Sequence, residues 1–443
     1  MSIRLSDHFT YRRLLRFTLP SILMMFFTSI YGVVDGLFVS NVVGETAFAA
    51  INLIMPYCMI FSAVGSVFGV GGSALVARIR GQKKAERANR VFSLLVWTML
   101  LSGLAVTGLA QLLLPWAVRR LGATAELTRD CMTYARIFLS TQAAFFLQYG
   151  MQPLLITAER PRLGLAFTVA AGVSNMVLDW LFIAMFRWGV AGAAVASCIG
   201  QCIGGFGPVA YFALAKDCPL RLVKTRFMPR ELLRAMTNGA AEGITNVAMS
   251  FVNMVFNLQL MKYIGEYGVS AYGVIMYVNF VFVAVYLGYT MGAAPIFSFQ
   301  YAAGGYEELR GLFRRSLVIV GAFSLTLTAL ALATARPVSA VFAGYDEQFL
   351  RLTIRALRLY ALSYFLAGMN IFTSGLFAAF NNGLIAGTLS GLRMLVFQLA
   401  AVLVLPLWMG SDGIWLAMLA AESCVFLISA LFLVRERKTY HYA

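Results

Sequence analysis

The chain has 443 residues, of which 60% are apolar and only 12% are charged, and its mean hydropathy is +0.79. Because roughly a quarter of the residues in soluble proteins are charged, this composition excludes an ordinary soluble protein. The net charge of +16 is compatible with nucleic-acid binding, but the Lys and Arg residues lie in short connections between apolar stretches, where they set membrane orientation.

Apolar stretches recur along the whole chain, and about 20 residues suffice for one helical crossing of a bilayer. A helix satisfies its backbone groups internally, and the alternating pattern of a membrane barrel does not occur in the sequence. The sequence therefore predicts an all-α polytopic membrane protein with twelve transmembrane helices, at about residues 15–40, 47–77, 91–117, 130–157, 163–186, 189–215, 231–263, 269–300, 312–335, 348–380, 384–408 and 413–434.

The basic residues predict the orientation of these helices. Of the 35 Lys and Arg residues, 24 lie on the side of the N-terminus, at the two ends of the chain and in segments 78–90, 160–162, 216–234 and 310–315. Because cytoplasmic loops are enriched in basic residues, both termini are expected in the cytoplasm and the protein in the plasma (inner) membrane. The first apolar stretch is too long for the core of a signal peptide and is expected to be retained.

The chain divides near its midpoint. A polar connection over residues 216–230, expected in the cytoplasm, separates an N-lobe (residues 1–215) from a C-lobe (residues 231–443). A shift of 221 residues superposes Gly44-Glu45 on Gly265-Glu266, Ala50 on Ala271, Gly71 on Gly292, Phe92 on Phe313, Gly189 on Gly410, Gly192 on Gly413 and Ala196 on Ala417. Two pseudo-symmetric bundles of six helices share one orientation, and such a parallel repeat is typical of transporters with a cavity between the halves.

Two carboxylates lie at a similar depth in the N-lobe. Asp35 follows Arg16 by 19 residues, which at 1.5 Å per residue is a depth of about 28 Å. Asp179 follows Arg162 by 17 residues, a depth of about 25 Å. A charged side chain inside a membrane is costly and indicates a functional site.

Each of these acids has a polar neighbour one helical turn earlier, because Tyr31 precedes Asp35 and Asn175 precedes Asp179 by four residues. Carboxylate, amide and phenol oxygens suit a proton or Na⁺. An alternative stays open, in which hydroxyl groups satisfy each aspartate or the acids lie at the outer interface.

Three more ionisable residues, Glu242, Arg393 and Glu422, lie near the middle of predicted C-lobe spans. They are interpreted either as a buried charge cluster that joins the seventh, eleventh and twelfth helices or as contacts for a substrate or cation. Both interpretations stay open.

An enzyme is not expected. The sequence has no Walker-type loop and no HExxH pair, and its two histidines, His8 and His441, lie near the ends. The six cysteines lack the spacing of a disulfide framework or a zinc site. No cofactor is expected.

A specific set of residues marks the first two spans and the fifth and sixth spans: Pro20, Asp35, Gly44-Glu45, Gly69 to Gly72, Ala77-Arg78, Gly81, Asn175, Asp179 and Trp188 to Ala194. The pattern, which covers essentially all twelve spans, resembles the multidrug and toxic compound extrusion (MATE) family of the MOP superfamily. The resemblance implies two six-helix lobes around a V-shaped central cavity. It also implies export of drugs and other organic cations in exchange for H⁺ or Na⁺.

By position, the resemblance implies an ion-coupling site of Tyr31, Asp35, Tyr134, Asn175, Asp179 and Ser197. A sodium ion would take its ligands from Asp35, Asn175, Asp179 and Ser197. Where relatives often have asparagine on the fourth helix, this chain has Gln148 and Gln152, which join Glu242, Arg393 and Glu422 as candidate substrate or structural residues. Glu242 matches a glutamate of one branch, but Asn370 stands where that branch has an aspartate, so coupling is expected in the N-lobe.

The expected function is multidrug efflux by cation-coupled antiport through alternating access. The expected partners are hydrophobic or cationic small molecules and the lipid bilayer, without nucleic acid, and the chain is expected to be a monomer. The alternative is a flippase of the same superfamily for a lipid-linked precursor. That function needs a cationic cavity for a pyrophosphate, and Arg393 is the only deep basic residue in the sequence. A channel-like or structural membrane protein is a further alternative.

Overall fold

The computed structural model describes residues 3–38, 42–43, 45–120, 125–215, 218–344 and 346–442. Its first half contains α1 (Tyr11–Phe38), α2 (Glu45–Gly81), α3 (Ala85–Arg120), α4 (Ala125–Ser140), α5 (Gln142–Thr157), α6 (Pro161–Asp179), a π-helical segment (Trp180–Met185) and α7 (Gly189–Leu214). The second half contains α8 (Pro229–Tyr263), α9 (Glu266–Ala303), α10 (Tyr306–Ala343), α11 (Glu347–Ala361), α12 (Tyr364–Ala379), α13 (Gly383–Gly391), a π-helical segment (Leu392–Phe397), α14 (Gln398–Met409) and α15 (Ser411–Tyr440).

The predicted all-α membrane fold is confirmed. Among the described residues there is no β-strand, and ten helical stretches are long and apolar enough to cross a membrane. α11 and α12, which are bent by 43° relative to each other, are together also long and apolar enough for one crossing. The fourth predicted span is divided at Thr141 into α4 and α5, which have 16 residues each.

A matched pair of glycines begins the last helix of each half. Gly189 has a φ of +58° and Gly410 a φ of +59°. A side chain with a Cβ is strained in this left-handed region, whereas glycine adopts it readily. The glycines that superpose in the sequence therefore share a positive φ at the start of the last helix of each half.

Both termini lie on one face of the helical bundle, which we call the terminal face. Gln300, near the end of α9, donates a hydrogen bond from Nε2 to the backbone oxygen of Leu5 (2.8 Å). The ring of the next residue, Tyr301, lies 5.5 Å from that of Tyr440 in the last turn of α15. The basic end of α2 is also there, because Gly81 approaches the backbone of Phe299.

The two halves meet along two seams near the terminal face, and the first seam joins α2 to α8. A Cβ added to Gly71 would lie 1.9 Å from the backbone oxygen of Ala235. A Cβ added to Gly239 would lie 1.8 Å from the backbone oxygen of Val67. The two backbones are therefore in direct contact, which only glycine permits at these positions.

The second seam joins α9 to α1. Gly292, which the sequence repeat matches with Gly71, packs against Thr18. Nearer the middle of α1, Ser29 Oγ donates a hydrogen bond to the backbone oxygen of Phe280 (3.3 Å). Because the seams are equivalent under the repeat, they close the terminal face in a pseudo-symmetric way.

Residues 3–10, which we call the N-terminal strap, also contact both halves. Leu5 and Phe9 are fully buried. The backbone N–H of Leu5 donates to Glu159 Oε1 between α5 and α6 (3.1 Å), and its oxygen accepts from Gln300. The N–H of Phe9 donates to Glu308 Oε1 at the start of α10 (2.8 Å). The N-terminal strap therefore links the halves across the terminal face.

Candidate functional site

The first group of candidate residues lies at the end of α6. Asn175 and Asp179 are one turn apart and are 4% and 0% exposed. α6 ends at Asp179 and continues as the π-helical segment. The π-helical segment of the second half contains Arg393. Since π-helical turns are rare and frequent at functional sites, ionisable candidates of both halves lie at or beside an irregular turn.

α1 packs beside this group. A Cβ added to Gly172 of α6 would lie 3.1 Å from Cδ1 of Tyr31. Asp35 lies in α1 one turn after Tyr31, and its side chain is outside the described residues. Both helices run away from the terminal face, so the backbone places Asp35 within about one turn of the height of Asp179.

α7 supplies a hydroxyl group to the same place. Nδ2 of Asn175 donates to Ser197 Oγ at 3.4 Å, and the helices approach closely because Gly200 packs against the Ala171 oxygen. Oδ1 of Asn175 is buried and has no hydrogen-bond partner among the described residues. An amide oxygen is therefore available beside Ser197, and oxygen ligands of this kind suit Na⁺.

The two candidate glutamines of α5 lie nearer the terminal face. Nε2 of Gln152 donates to Thr168 Oγ1 on α6 (3.4 Å), and Gln148 packs against Gly204 of α7. Thr168 precedes Asn175 by seven residues, about 10 Å along the helix. The glutamines therefore extend the polar interior of the N-lobe towards the terminal face.

Tyr134 lies in a different setting. It is 1% exposed in the apolar core of the first half, and its ring stacks on Phe138 with 5.7 Å between the ring centroids. The structure therefore places Tyr134 in a packed aromatic pair on α4, and its predicted role beside the ion stays a prediction.

Sequence reasoning missed Gln201. This side chain is 6% exposed, and its Oε1 accepts a hydrogen bond from Thr141 Oγ1 at 2.7 Å, at the break between α4 and α5. Gln201 follows Ser197 by one helical turn, so the two share a helix face. That spacing was the signal that could have identified it.

In the second half, Glu422 is fully buried and has fixed partners. Arg393 Nε lies 3.2 Å from Glu422 Oε1. Nδ2 of Asn370 donates to Glu422 Oε2 at 2.7 Å and to the Glu422 backbone oxygen at 2.9 Å. These contacts join α12, the second π-helical segment and α15.

Glu242 lies apart from that ion pair. It is partly exposed and forms no ion pair within the described part of the chain. Glu242 lies close enough to Arg393 to interact with its charge, and also close enough to Tyr149, which belongs to the N-lobe. Among the described residues, Arg393 therefore forms its ion pair with Glu422, and Glu242 is a partly exposed acid that lies near Arg393 and Tyr149.

A family model described as MatE matches the chain twice, over residues 20–181 and 243–404. The multidrug export protein MepA of Staphylococcus haemolyticus is 23% identical over 430 residues, which cover 96% of this chain and 93% of that protein. The MepA protein of Staphylococcus aureus is 21% identical over 432 residues, which cover 97% of this chain and 95% of that protein.

Solved structures share the fold. A crystal structure described as MATE in complex with MaL6 superposes with a TM-score of 0.93 at 20% identity and covers 98% of both chains. An outward-facing multidrug resistance transporter of the MATE family gives 0.92 at 21% identity, again over 98% of both chains. A MOP superfamily transporter from Pyrococcus furiosus gives 0.91 at 22% identity, also over 98% of both chains.

Proposed function

This chain belongs to the MatE (multidrug and toxic compound extrusion) family of membrane transporters, and from that premise we propose that it exports hydrophobic or cationic organic molecules by antiport with H⁺ or Na⁺. The proposed location is the plasma (inner) membrane, with both termini in the cytoplasm. We further propose that the chain acts as a monomer and needs no cofactor besides the driving ion.

The observation that carries this proposal is the buried oxygen-rich group at the end of α6. Asn175, Asp179 and Ser197 supply amide, carboxylate and hydroxyl groups inside the N-lobe, and the backbone brings Asp35 to a similar height. A cation that binds there offsets the cost of a charged acid in a membrane. Binding and release of that cation would change the packing of α1 against α6.

Coupling requires that the cation and the substrate favour different conformations, since equal affinities shift no equilibrium. The halves are in backbone contact at the terminal face through Gly71, Gly239 and Gly292, so with that face in the cytoplasm the cavity would open outward. An entering cation would then weaken substrate binding in this state. Its release to the cytoplasm would reset the cavity for the next substrate.

Glu242 supports a cationic substrate, because it is a partly exposed acid near Tyr149 that forms no ion pair with the described residues, while the nearby Arg393 is paired with Glu422. Acids and aromatic faces both attract organic cations. The flippase alternative has less support, since the deep Arg393 is already paired with Glu422 and offers little positive charge to a pyrophosphate.

The test uses the purified full-length protein in liposomes, with uptake of a fluorescent organic cation under separate proton and sodium gradients. Asp179→Asn and Asp35→Asn are expected to lower gradient-driven uptake by about fivefold or more, because the asparagine side chain has no negative charge for the driving cation to neutralise. Glu86→Gln is the control, since the Glu86 side chain is 93% exposed at the start of α3. Parental uptake in both aspartate variants would refute the coupling scheme, and absence of uphill flux in the parent would favour the channel-like alternative.

A further inference from the structure

A polar cavity of about 400 Å³ lies between the halves at the terminal face. Arg78 of α2 lines it from the first half, while Asn238, Tyr301, Asn381 and Gly383 line it from the second half. Its volume is within the range of small-molecule sites. Among the described residues that line the cavity, Arg78 is the only charged one.

Arg78 is partly buried, and its guanidinium group forms no hydrogen bond or ion pair with the described residues. Arg80, two residues later, differs from Arg78 in this respect. It pairs with Glu159 at 3.0 Å and also donates a hydrogen bond to the Thr157 backbone oxygen. A partly buried cation without a counter-charge is unfavourable. The cavity is therefore suited to an anion.

The start of α13 adds donors to the same wall. Asn382 Oδ1 accepts from the N–H of Ile385 at 3.1 Å, while the N–H groups of Gly383 and Leu384 have no acceptor among the described residues. The first N–H groups of a helix lack partners within it, and the helix dipole favours negative charge there. These donors supplement the charge of Arg78.

The height of the cavity matches the lipid headgroups. Arg78, Tyr301 and Tyr440 lie in the last turns of α2, α9 and α15, and Tyr is enriched at membrane interfaces. Beside the cavity, the apolar Leu384 is 81% exposed. The terminal face also carries most of the basic residues, which attract anionic lipids.

We propose that this cavity binds a phosphate group, presented by the headgroup of an anionic phospholipid or by free phosphate. Arg78 donates charge-assisted hydrogen bonds to it, and the first N–H groups of α13 complete its coordination. Because Arg78 belongs to one half and α13 to the other, the bound group bridges the halves. Binding therefore favours the conformation in which the terminal face is closed.

The test measures thermal unfolding of the purified full-length protein at constant ionic strength. The added probes are a short-chain phosphatidylglycerol, a short-chain phosphatidylcholine and inorganic phosphate. The variants are Arg78→Gln and Arg78→Lys, with Lys84→Gln as a control because Lys84 is an exposed cation in the turn after α2.

With phosphatidylglycerol or inorganic phosphate, the parent and Lys84→Gln are expected to show a saturable rise in Tm. Arg78→Gln is expected to need roughly ten- to a hundredfold more of the same ligand for that rise, and Arg78→Lys to keep part of it. A rise with phosphatidylglycerol alone assigns the site to lipid, and an equal rise with inorganic phosphate assigns it to free phosphate. An unchanged response in Arg78→Gln, or no saturable rise in the parent, overturns the proposal. If Arg78→Gln does not fold, native mass spectrometry of the parent decides, and equal retention of the two lipids contradicts the site.

Discussion

At the scale of single residues, Glu422 shows how a buried acid is held in this membrane protein. Its carboxylate is fully buried, and it contacts the guanidinium group of Arg393 and the amide of Asn370. An ion pair with this burial is weak evidence of net stabilisation, but the loss of one partner leaves an uncompensated charge. The contacts therefore favour a structural role for this pair.

Arg393→Gln is expected to lower the free energy of unfolding by about 3 to 5 kcal/mol, because Glu422 then lacks its cation. The double variant Arg393→Met with Glu422→Met removes both charges and is expected to recover most of that loss. Thermal unfolding of the purified variants in detergent measures both effects. Parental stability in Arg393→Gln would show that the pair does not hold the helices together.

Asp346 gives a pH-dependent prediction outside the spans. Tyr267 Oη donates to Asp346 Oδ2 at 2.6 Å, and the N–H of Phe349 donates to Oδ1 at 2.9 Å, which caps α11. The hydrogen bond from Tyr267, followed by the one from the Phe349 N–H, lowers the pKa of the Asp346 carboxyl. Because the pKa is lower in the folded than in the unfolded state, the ionised carboxylate stabilises the folded protein at pH values above the unfolded pKa of about 3.9. This stabilisation is lost as the pH falls through the folded pKa.

Asp346→Ala is therefore expected to have a lower Tm than the parent at neutral pH, and the difference should shrink as the pH falls below about 4. Asp346→Asn is the matched control, because asparagine also caps helices but does not titrate. Unfolding curves over a pH series measure the difference. A difference between parent and Asp346→Ala that stays constant down to the lowest pH would contradict this account.

At the scale of helices, the seam between α2 and α8 depends on backbone contact. Gly71 and Gly239 allow this contact, and Ser298 Oγ of α9 donates to the Ala74 oxygen of α2 at 2.7 Å next to it. Helices that touch so closely are sensitive to one added methyl group.

Gly71→Ala is expected to separate α2 from α8 at the terminal face, because its Cβ would lie 1.9 Å from the Ala235 oxygen. The separation is measured with Ser298→Cys in a variant from which the native cysteines have been removed. The parental serine is fully buried, so the rate of thiol labelling rises if the helices separate. We expect faster thiol labelling in Gly71→Ala than in the parent. Gly108→Ala is the control, since a Cβ there meets nothing within 4 Å, and equal labelling rates would contradict the role of the seam.

At the scale of the whole molecule, an ion pair crosses between the halves. Arg87 of α3 pairs with Glu231 in the first turn of α8, and the Glu231 side chain is only 8% exposed. Since charge pairs near a moving interface bias the two arrangements, this pair is expected to favour the closed terminal face.

Arg87→Glu places two acids together and is expected to reduce transport, because like charges repel across the interface. The double variant Arg87→Glu with Glu231→Arg restores opposite charges and should recover part of the activity. Uptake in liposomes measures both. An equal loss in the double variant would contradict a direct interaction.

Much of the fold was predictable, because spans, basic loops and matched glycines are local patterns. Gly189 and Gly410, which superpose in the sequence, both have a positive φ. The break at Thr141 was not predicted, because Ser140, Thr141 and Gln142 form only a short polar step between apolar stretches and no Gly or Pro ends the helix there. Tertiary packing overrides such local patterns.

The candidate site was predictable only in part. The spacing of Asn175 and Asp179 put them on one helix face, but the partner of Arg393 depends on how distant helices pack. Glu242 and Glu422 were equally plausible from the sequence, and in the described part of the chain the ion pair of Arg393 is with Glu422. The Arg78 cavity was also hidden, because its wall comes from both halves of the chain.

The N-terminal strap has a consequence for biosynthesis. Leu5 and Phe9 leave the ribosome long before Gln300 and Glu308, which bind them and are separated from them in sequence by 295 and 299 residues. The start of the chain must therefore wait until α9 and α10 have been inserted before it can dock. A polypeptide that stalls earlier keeps this segment undocked and open to proteases, so docking of the N-terminal strap reports that synthesis has passed α10.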